Sequence, residues 1–214
     1  MAYEVPALGT AGQVYTAAAH NIIVEDIRMF SVFTNEAARD AAITSPTEGM
    51  HAYLTAPTVP TATGTTTAIP IGVQTIYNGA VWVCVTPVGS LSNTTGTTDE
   101  TSYVTTLTGD GTAISVTLVT GTTVRIDTSA VYDADQGGPP SAYLSFSVSG
   151  ATTVAASNAN SSYTQQLADD TRTTARSLIL TGLTAGTNTF TLNYKVTGWG
   201  IKARSRNLIV TGVA

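Results

Sequence analysis

The spacing of hydrophobic and polar positions changes period part-way along the chain. Near the start, "TAAAHNIIVEDIRMF" places Ile23, Ile27 and Phe30 at i, i+4 and i+7, the repeat of one helix face. Thr16 stands where an N-cap belongs, so a helix is expected over 17–29, although the run Ile22, Ile23, Val24 would also suit a strand. "SVF" reads as a short strand. "TNEAARDAA" reads as a second short helix, with Thr34 or Asn35 as its cap and Glu36 at the positive end of its dipole. Pro46 stops it. "MHAYLT" alternates as a strand does, and "APTVPTATGTTTAIPIG" is expected as a long Pro/Thr loop.

The stretch "QTIYNGAVWVCV", 74–85, carries the strongest local signal. Asn78-Gly79 between two β-prone runs predicts a two-residue hairpin turn, because a type I′ turn needs positive φ at both central positions. Such a turn sets Tyr77 opposite Ala80, Ile76 opposite Val81 and Thr75 opposite Trp82. One face then carries Thr75, Tyr77, Trp82 and Cys84, and the other Ile76, Val81, Val83 and Val85. Both faces are apolar, and an isolated hairpin is marginal in water. It is therefore expected to lean on the preceding helices or on a neighbouring subunit.

"GSLSNTTGTTDETS" is polar and reads as a linker. From Tyr103 the alternation becomes regular. "YVTTLTGDGTAISVTLVTGTTVRIDT" predicts three strands, "AYLSFSVSG" one, and "ARSLILTGLTAGTNTFTLNYKVTGWGIKARSRNLIVTGVA" three more, with turns at the glycines. Residues 151–170 are open between an edge strand, a loop and a short helix. The expected fold is mainly β. A small N-terminal α+β docking region with a hairpin spans 1–90, a linker 91–101, and an antiparallel β-sandwich or jelly-roll-like domain 102–214.

Composition agrees with that class. Of 214 residues only 11% are charged and 43% are hydrophobic, unlike a disordered chain. Threonine, which suits a pleated and half-wet surface, supplies about a fifth of the residues. The net charge is −5, with −6 in the first hundred residues and +1 in the rest. Neither part has the clustered positive face that nucleic acid requires. Six of the nine bases follow residue 170, interleaved with β-forming residues, and are expected on a solvated or subunit-facing strand surface. The lone Cys84 excludes an intramolecular disulfide and reads as a small buried hydrophobe. "MAYEVPALGTAGQ" lacks the basic and apolar regions of a signal peptide, and no apolar run approaches the ~20 residues of a membrane span. Synthesis in a cytosol is expected, with no membrane insertion.

Chemistry is sparse. His20 and His51 are the only histidines, in no metal-ligand spacing, and no P-loop, dinucleotide fingerprint or Gly-x-Ser-x-Gly occurs. Neither a cofactor nor enzymatic activity is expected. Asp133 and Asp135, with Gly137, echo a calcium loop without its bidentate glutamate, so a turn is favoured over a Ca²⁺ site. Asp99-Glu100 and Asp169-Asp170 read as solvated turns. Trp199, in "VTGWGIK", sits between two predicted strands. It could fold back on the sandwich end, meet another subunit, or stack on a sugar.

Three segments together resemble small structural proteins of tailed-bacteriophage virions, the minor tail, tail-fibre-like and head-decoration group. They are "AGQVYTAAAHNIIVEDIRMF", "AARDAAITSPTEGMHAYL" with "IYNGAVWVCV", and "LTGLTAGTNTFTLNYKV" with "ARSRNLIVTGV". The resemblance covers roughly residues 9–54, 76–85 and 178–212. It implies a virion component made in the host cytoplasm, assembling as a homotrimer and docking on phage capsid or tail proteins through its N-terminal part. Ile23, Ile27, Phe30, Tyr77, Trp82 and Trp199 are the candidate interface residues. The alternative is a module that binds host-surface glycans. One departure stands out: the Pro/Thr segment 56–72 replaces a short connection in the similar proteins, and could be an arm reaching a neighbouring subunit.

Overall fold

The computed structural model describes residues 31–134, 140–165 and 170–214. The helix expected over 17–29, with Ile23, Ile27 and Phe30, lies outside the described residues. Residues Val32–Ala214 form one compact unit.

Its first part is a small sheet with one helix. Strands β1 (Ser31–Phe33), β2 (His51–Leu54), β5 (Val73–Tyr77) and β6 (Trp82–Cys84) form a four-stranded sheet in the order β1-β2-β5-β6. Helix α1 spans Glu36–Ala42. Asn35 caps it, its Oδ1 accepting from the Ala38 N–H at 3.0 Å, and Glu36 occupies the first turn. Both follow from the cap and dipole rules.

The Pro/Thr segment is not a bare loop. It contributes β3 (Thr61–Thr63) and β4 (Thr66–Ala68). Strand β3 pairs with β9 (Ser115–Thr120), and β4 with β7 (Val88–Ser92). One short segment therefore turns the corner between two sheets and forms an edge of each. This replaces the expectation of a subunit-reaching arm. Threonine's β-branching suits it to these exposed edges, and edge strands must be covered or kept short in any sandwich.

The expected linker 91–101 also differs. Leu91 and Ser92 end β7, and Gly96–Thr98 is β8. Both strands pair with β15 (Ile201–Val213). Polar composition misleads here because these residues lie at the sheet border, where hydroxyl side chains are satisfied: Ser92 is buried and donates to Asp110 at 2.6 Å.

The remaining strands are β10 (Thr123–Ala134), β11 (Ser141–Gly150), β12 (Ser162–Gln165), β13 (Thr171–Thr181) and β14 (Gly186–Thr197). Two strands, β9 and β10, stand where three were expected. Residues 103–113 instead run irregularly, tied by bridges such as Val104 to Tyr194 and Thr97 to Thr108. Residues 151–170 hold a 3₁₀ turn at Asn158–Asn160 and then β12.

A six-stranded sheet, β13-β10-β15-β7-β4 with β8 also on β15, packs with a five-stranded sheet, β12-β11-β14-β9-β3. All the described pairings within them are antiparallel. The core follows from strand alternation. Leu144, Phe146 and Val148 of β11, Phe190, Leu192 and Tyr194 of β14, and Ile126, Ala130 and Tyr132 of β10 are buried. Each fully buried aliphatic or aromatic side chain contributes roughly 1.5–3 kcal/mol.

One strand breaks its own alternation. In β15, Ile201 and Ala203 point inward, and so do Arg206, Leu208 and Val210. The parity changes because the register against β10 slips between the Ser129–Asn207 and Val131–Arg204 pairs. Ser205 lies in this bulge at φ 47°, a left-handed conformation uncommon for a residue with a Cβ. The extra residue re-aims Arg206 into the core.

Candidate functional site

The hairpin forms, but its turn is centred one residue later than the Asn-Gly rule predicts. Tyr77 faces Trp82, Ile76 faces Val83 and Thr75 faces Cys84. Asn78 does not adopt positive φ. Its Oδ1 accepts from the N–H groups of Ala80 and Val81 at 3.1 and 3.0 Å, and only Gly79 is left-handed, at φ 88°. The register moves by two residues, an even number, so the two expected faces keep their members.

Both faces are covered within the chain. On one, the Arg39 guanidinium of α1 lies 4.7 Å from the Trp82 ring centroid, and Tyr77 packs on Trp82 with centroids 5.5 Å apart. On the other, Val83 meets Gly121 and Gly212, and the Cys84 carbonyl lies so near Gly212 that a Cβ there would clash. Trp82 and Cys84 are buried and Tyr77 is half-buried. The hairpin is thus held between α1 and the end of β15.

A cavity of about 260 Å³ remains beside it, lined by Glu36, Arg39, Leu54, Thr75, Trp82 and Cys84 among others. Its polar groups are engaged except the buried Arg39 Nη1, which has no hydrogen-bond partner. Burial pushes the Glu36 carboxyl up, but the N–H groups of Thr58 and Val59 and the Thr58 hydroxyl outweigh it and hold it below the ordinary value. Burial pushes the Cys84 thiol up to about 11, so it is not a nucleophile near neutrality.

Trp199 occupies a different place. It stands in the turn between β14 and β15, 54% exposed. Beside it runs an open groove of about 450 Å³ lined by Thr97, Thr98, Asp99, Thr108, Gly198 and Gly200. Reciprocal backbone hydrogen bonds of 2.8 and 2.9 Å between Thr97 and Thr108 brace one wall. An aromatic face beside threonine hydroxyls and an exposed carboxylate presents both apolar and hydrogen-bonding surface.

The acidic residues singled out above separate. The Asp133 carboxylate accepts from Arg204 Nε at 3.0 Å and from the Thr171 hydroxyl. Burial raises its pKa, and these two partners more than compensate, so it sits below the ordinary value. Asp135 and Gly137 lie outside the described residues. Among the described residues no group of three or more His, Cys, Asp or Glu side chains could hold a metal ion, and no helix is long and apolar enough to cross a membrane. Of the histidines, His20 lies outside the described residues, and His51 Nδ1 is 3.1 Å from Gln74 Nε2 on the small sheet.

A polar cluster went unrecognised in the sequence. Arg206 is fully buried and pairs with Asp110, which is 5% exposed. Arg206 also donates to the Thr94 carbonyl at 3.2 Å and to the Tyr194 hydroxyl at 3.5 Å. The available signal was the parity change between Ile201/Ala203 and Leu208/Val210, which forces a bulge among Arg204, Ser205 and Arg206.

No protein-family model matches this chain, and no curated protein matches it. Solved structures share the β architecture only loosely. Eiger TNF from S. frugiperda is 14% identical over 60% of this chain and 92% of its own, with a TM-score of 0.40. A chain from infectious bursal disease virus, Gx strain, is 9% identical over 66% of this chain, with a TM-score of 0.41; this chain spans 42% of its length. The CBM22-2 xylan-binding domain of Paenibacillus barcinonensis Xyn10C is 11% identical over 56% of this chain and 92% of its own, with a TM-score of 0.26.

Proposed function

We propose that this chain is a non-enzymatic structural component of a tailed-phage virion, acting as capsid decoration or as a minor tail or fibre protein. It attaches through its N-terminal part as a homotrimer and displays the sandwich. The observation that carries this is the way the phage-like segments meet. Arg39 of "AARDAA" lies over Trp82 of the hairpin. Gly49 and Met50 of "EGM" exchange backbone hydrogen bonds with Tyr77 at 2.8 and 2.9 Å. Gly212 of the terminal "LIVTGV" seats the Cys84 carbonyl. Segments far apart in the chain thus form one contiguous unit, as expected if the resemblance reflects a common design. The inserted 56–72 leaves the pairing of β2 with β5 intact.

The perturbed carboxylates support a structural role as well. Asp110, Asp133 and Glu36 each bind a loop or strand to its neighbour instead of facing a common cleft. Light scattering on the purified chain tests the assembly. A mass three times the 22.0 kDa of the chain, together with co-sedimentation with phage particles, is expected. A monomer that ignores particles contradicts it.

A second role, binding host-surface glycans, is favoured by the exposed Trp199 beside its threonine-lined groove. Trp199→Ala should then abolish binding to host cells; unchanged binding removes it.

A further inference from the structure

We infer that the outward face of the five-stranded sheet is a platform for a neutral polysaccharide, separate from the Trp199 groove and independent of its role. The register places Ser147 beside Thr191, Thr191 beside Ser115, and Ser115 beside Thr63, a row of hydroxyls across four strands. The next outward row is Ser149, Thr189, Thr117 and Thr61. Neighbours in a row are ~4.8 Å apart and the rows ~7 Å apart, from strand geometry. Hydrogen bonds link the rows internally. Thr117 and Thr189 hydroxyls are 2.8 Å apart, and those of Thr63 and Ser115 2.7 Å.

The other end of the same face is aromatic. Tyr143 pairs with Tyr163, with rings 5.0 Å apart, and Tyr163 is 52% exposed. Lys195, the cross-strand partner of Tyr143, places its Nζ 4.6 Å from the Tyr143 ring and 4.9 Å from that of Tyr103. Its charge is already engaged, donating to Asn158 Oδ1 at 2.6 Å. Between hydroxyls and rings the paired Ser145 and Asn193 are buried, the Ser145 hydroxyl bonding the Ser157 backbone at 3.0 and 3.3 Å, so the rows and the rings are the two exposed ends of the face.

The chemistry selects the ligand class. Each hydroxyl both donates and accepts, and the two rows carry no formal charge, so an ionic ligand would find nothing to neutralise it. A sugar chain offers the complement: hydroxyls on its edges for the rows, and C–H faces for the tyrosine rings. The strands already hold these groups in place, so little ordering is lost on binding.

An array of neutral and acidic glycans, probed with the full chain, tests this. Binding to neutral glycans is expected. It should fall about tenfold in Tyr163→Ala, the scale of one lost stacking contact, and also in Thr189→Val/Thr191→Val, which keeps the β-branched shape. It should persist in Trp199→Ala. Absence of neutral-glycan binding overturns the inference. So does binding that Trp199→Ala removes while Tyr163→Ala leaves it unchanged, or a loss of self-association in the double variant, which would make the face a contact between copies.

Discussion

Arg206 and Asp110 lie 96 residues apart in the chain and meet inside the sandwich, both side chains shut off from solvent. The pair fastens the irregular segment before β9 to the centre of the six-stranded sheet. Its partners, Ser92 and the Thr94 carbonyl, extend the same fastening to the β7–β8 connection.

Breaking the pair from one side leaves a charge uncompensated in the core. Asp110→Asn is expected to cost ~3–5 kcal/mol, read as a lower urea midpoint. Replacing both partners by apolar residues, Arg206→Met with Asp110→Leu, should recover much of that loss, since no buried charge remains.

Acid should loosen the same contact. Burial pushes the Asp110 carboxyl up, but Ser92, the Thr112 N–H and Arg206 hold it below the ordinary 3.8. The folded state therefore releases this proton more readily than the unfolded chain. Its contribution is full above pH 3.8 and is lost as pH falls through the lower folded value. Asp133 and Glu36 are shifted in the same direction. Thermal midpoints measured from pH 6 to pH 2 should drop on the acid side, less steeply in Asp110→Asn.

Ser205 tests the bulge that turns Arg206 inward. At φ 47° its Cβ is disfavoured, and a β-branched residue is worse. Ser205→Val is expected to lose ~1–2 kcal/mol in chemical denaturation, whereas Ser205→Gly should be no less stable than the natural chain.

Trp82 tests the clamp. It is covered by Arg39 and Tyr77 within its own chain, so Trp82→Ala should cost ~3–5 kcal/mol and lower the thermal midpoint before any ligand binding is affected. A variant with unchanged melting and normal assembly would contradict the clamp.

Cys84 reports on the same region. With its thiol raised to about 11 by burial, it should resist a thiol-specific reagent at pH 8 in the folded protein and react on addition of denaturant. Rapid labelling of the native chain would show the cavity beside Trp82 to be open.

The strands with uninterrupted alternation were legible from sequence. Strands β11, β13 and β14 follow their side-chain period, β15 follows it on either side of its bulge, and α1 follows its Asn35 cap. What escaped was non-local. Threonines at 61–68 and 96–98 carry no apolar period, because they lie at sheet edges and become strands only when β7, β9 and β15 offer partners. The Asn-Gly rule failed at Asn78 because its side chain takes the backbone donors that a tighter turn would have used otherwise. The hydroxyl rows were invisible because they exist only after β3, β9, β11 and β14 come into register. Trp199 was placed rightly in the turn between two strands, but its groove needs Thr97 and Thr108, which only the pairing of β8 with β15 brings beside it.

Under the proposed role this chain is built into a phage particle. Gold-labelled antibodies against the sandwich, applied to intact particles and viewed by electron microscopy, test it most directly. Labels at regular positions on the capsid or on the tail are predicted. Particles that carry no label, with the protein found only free in the lysate, would contradict it.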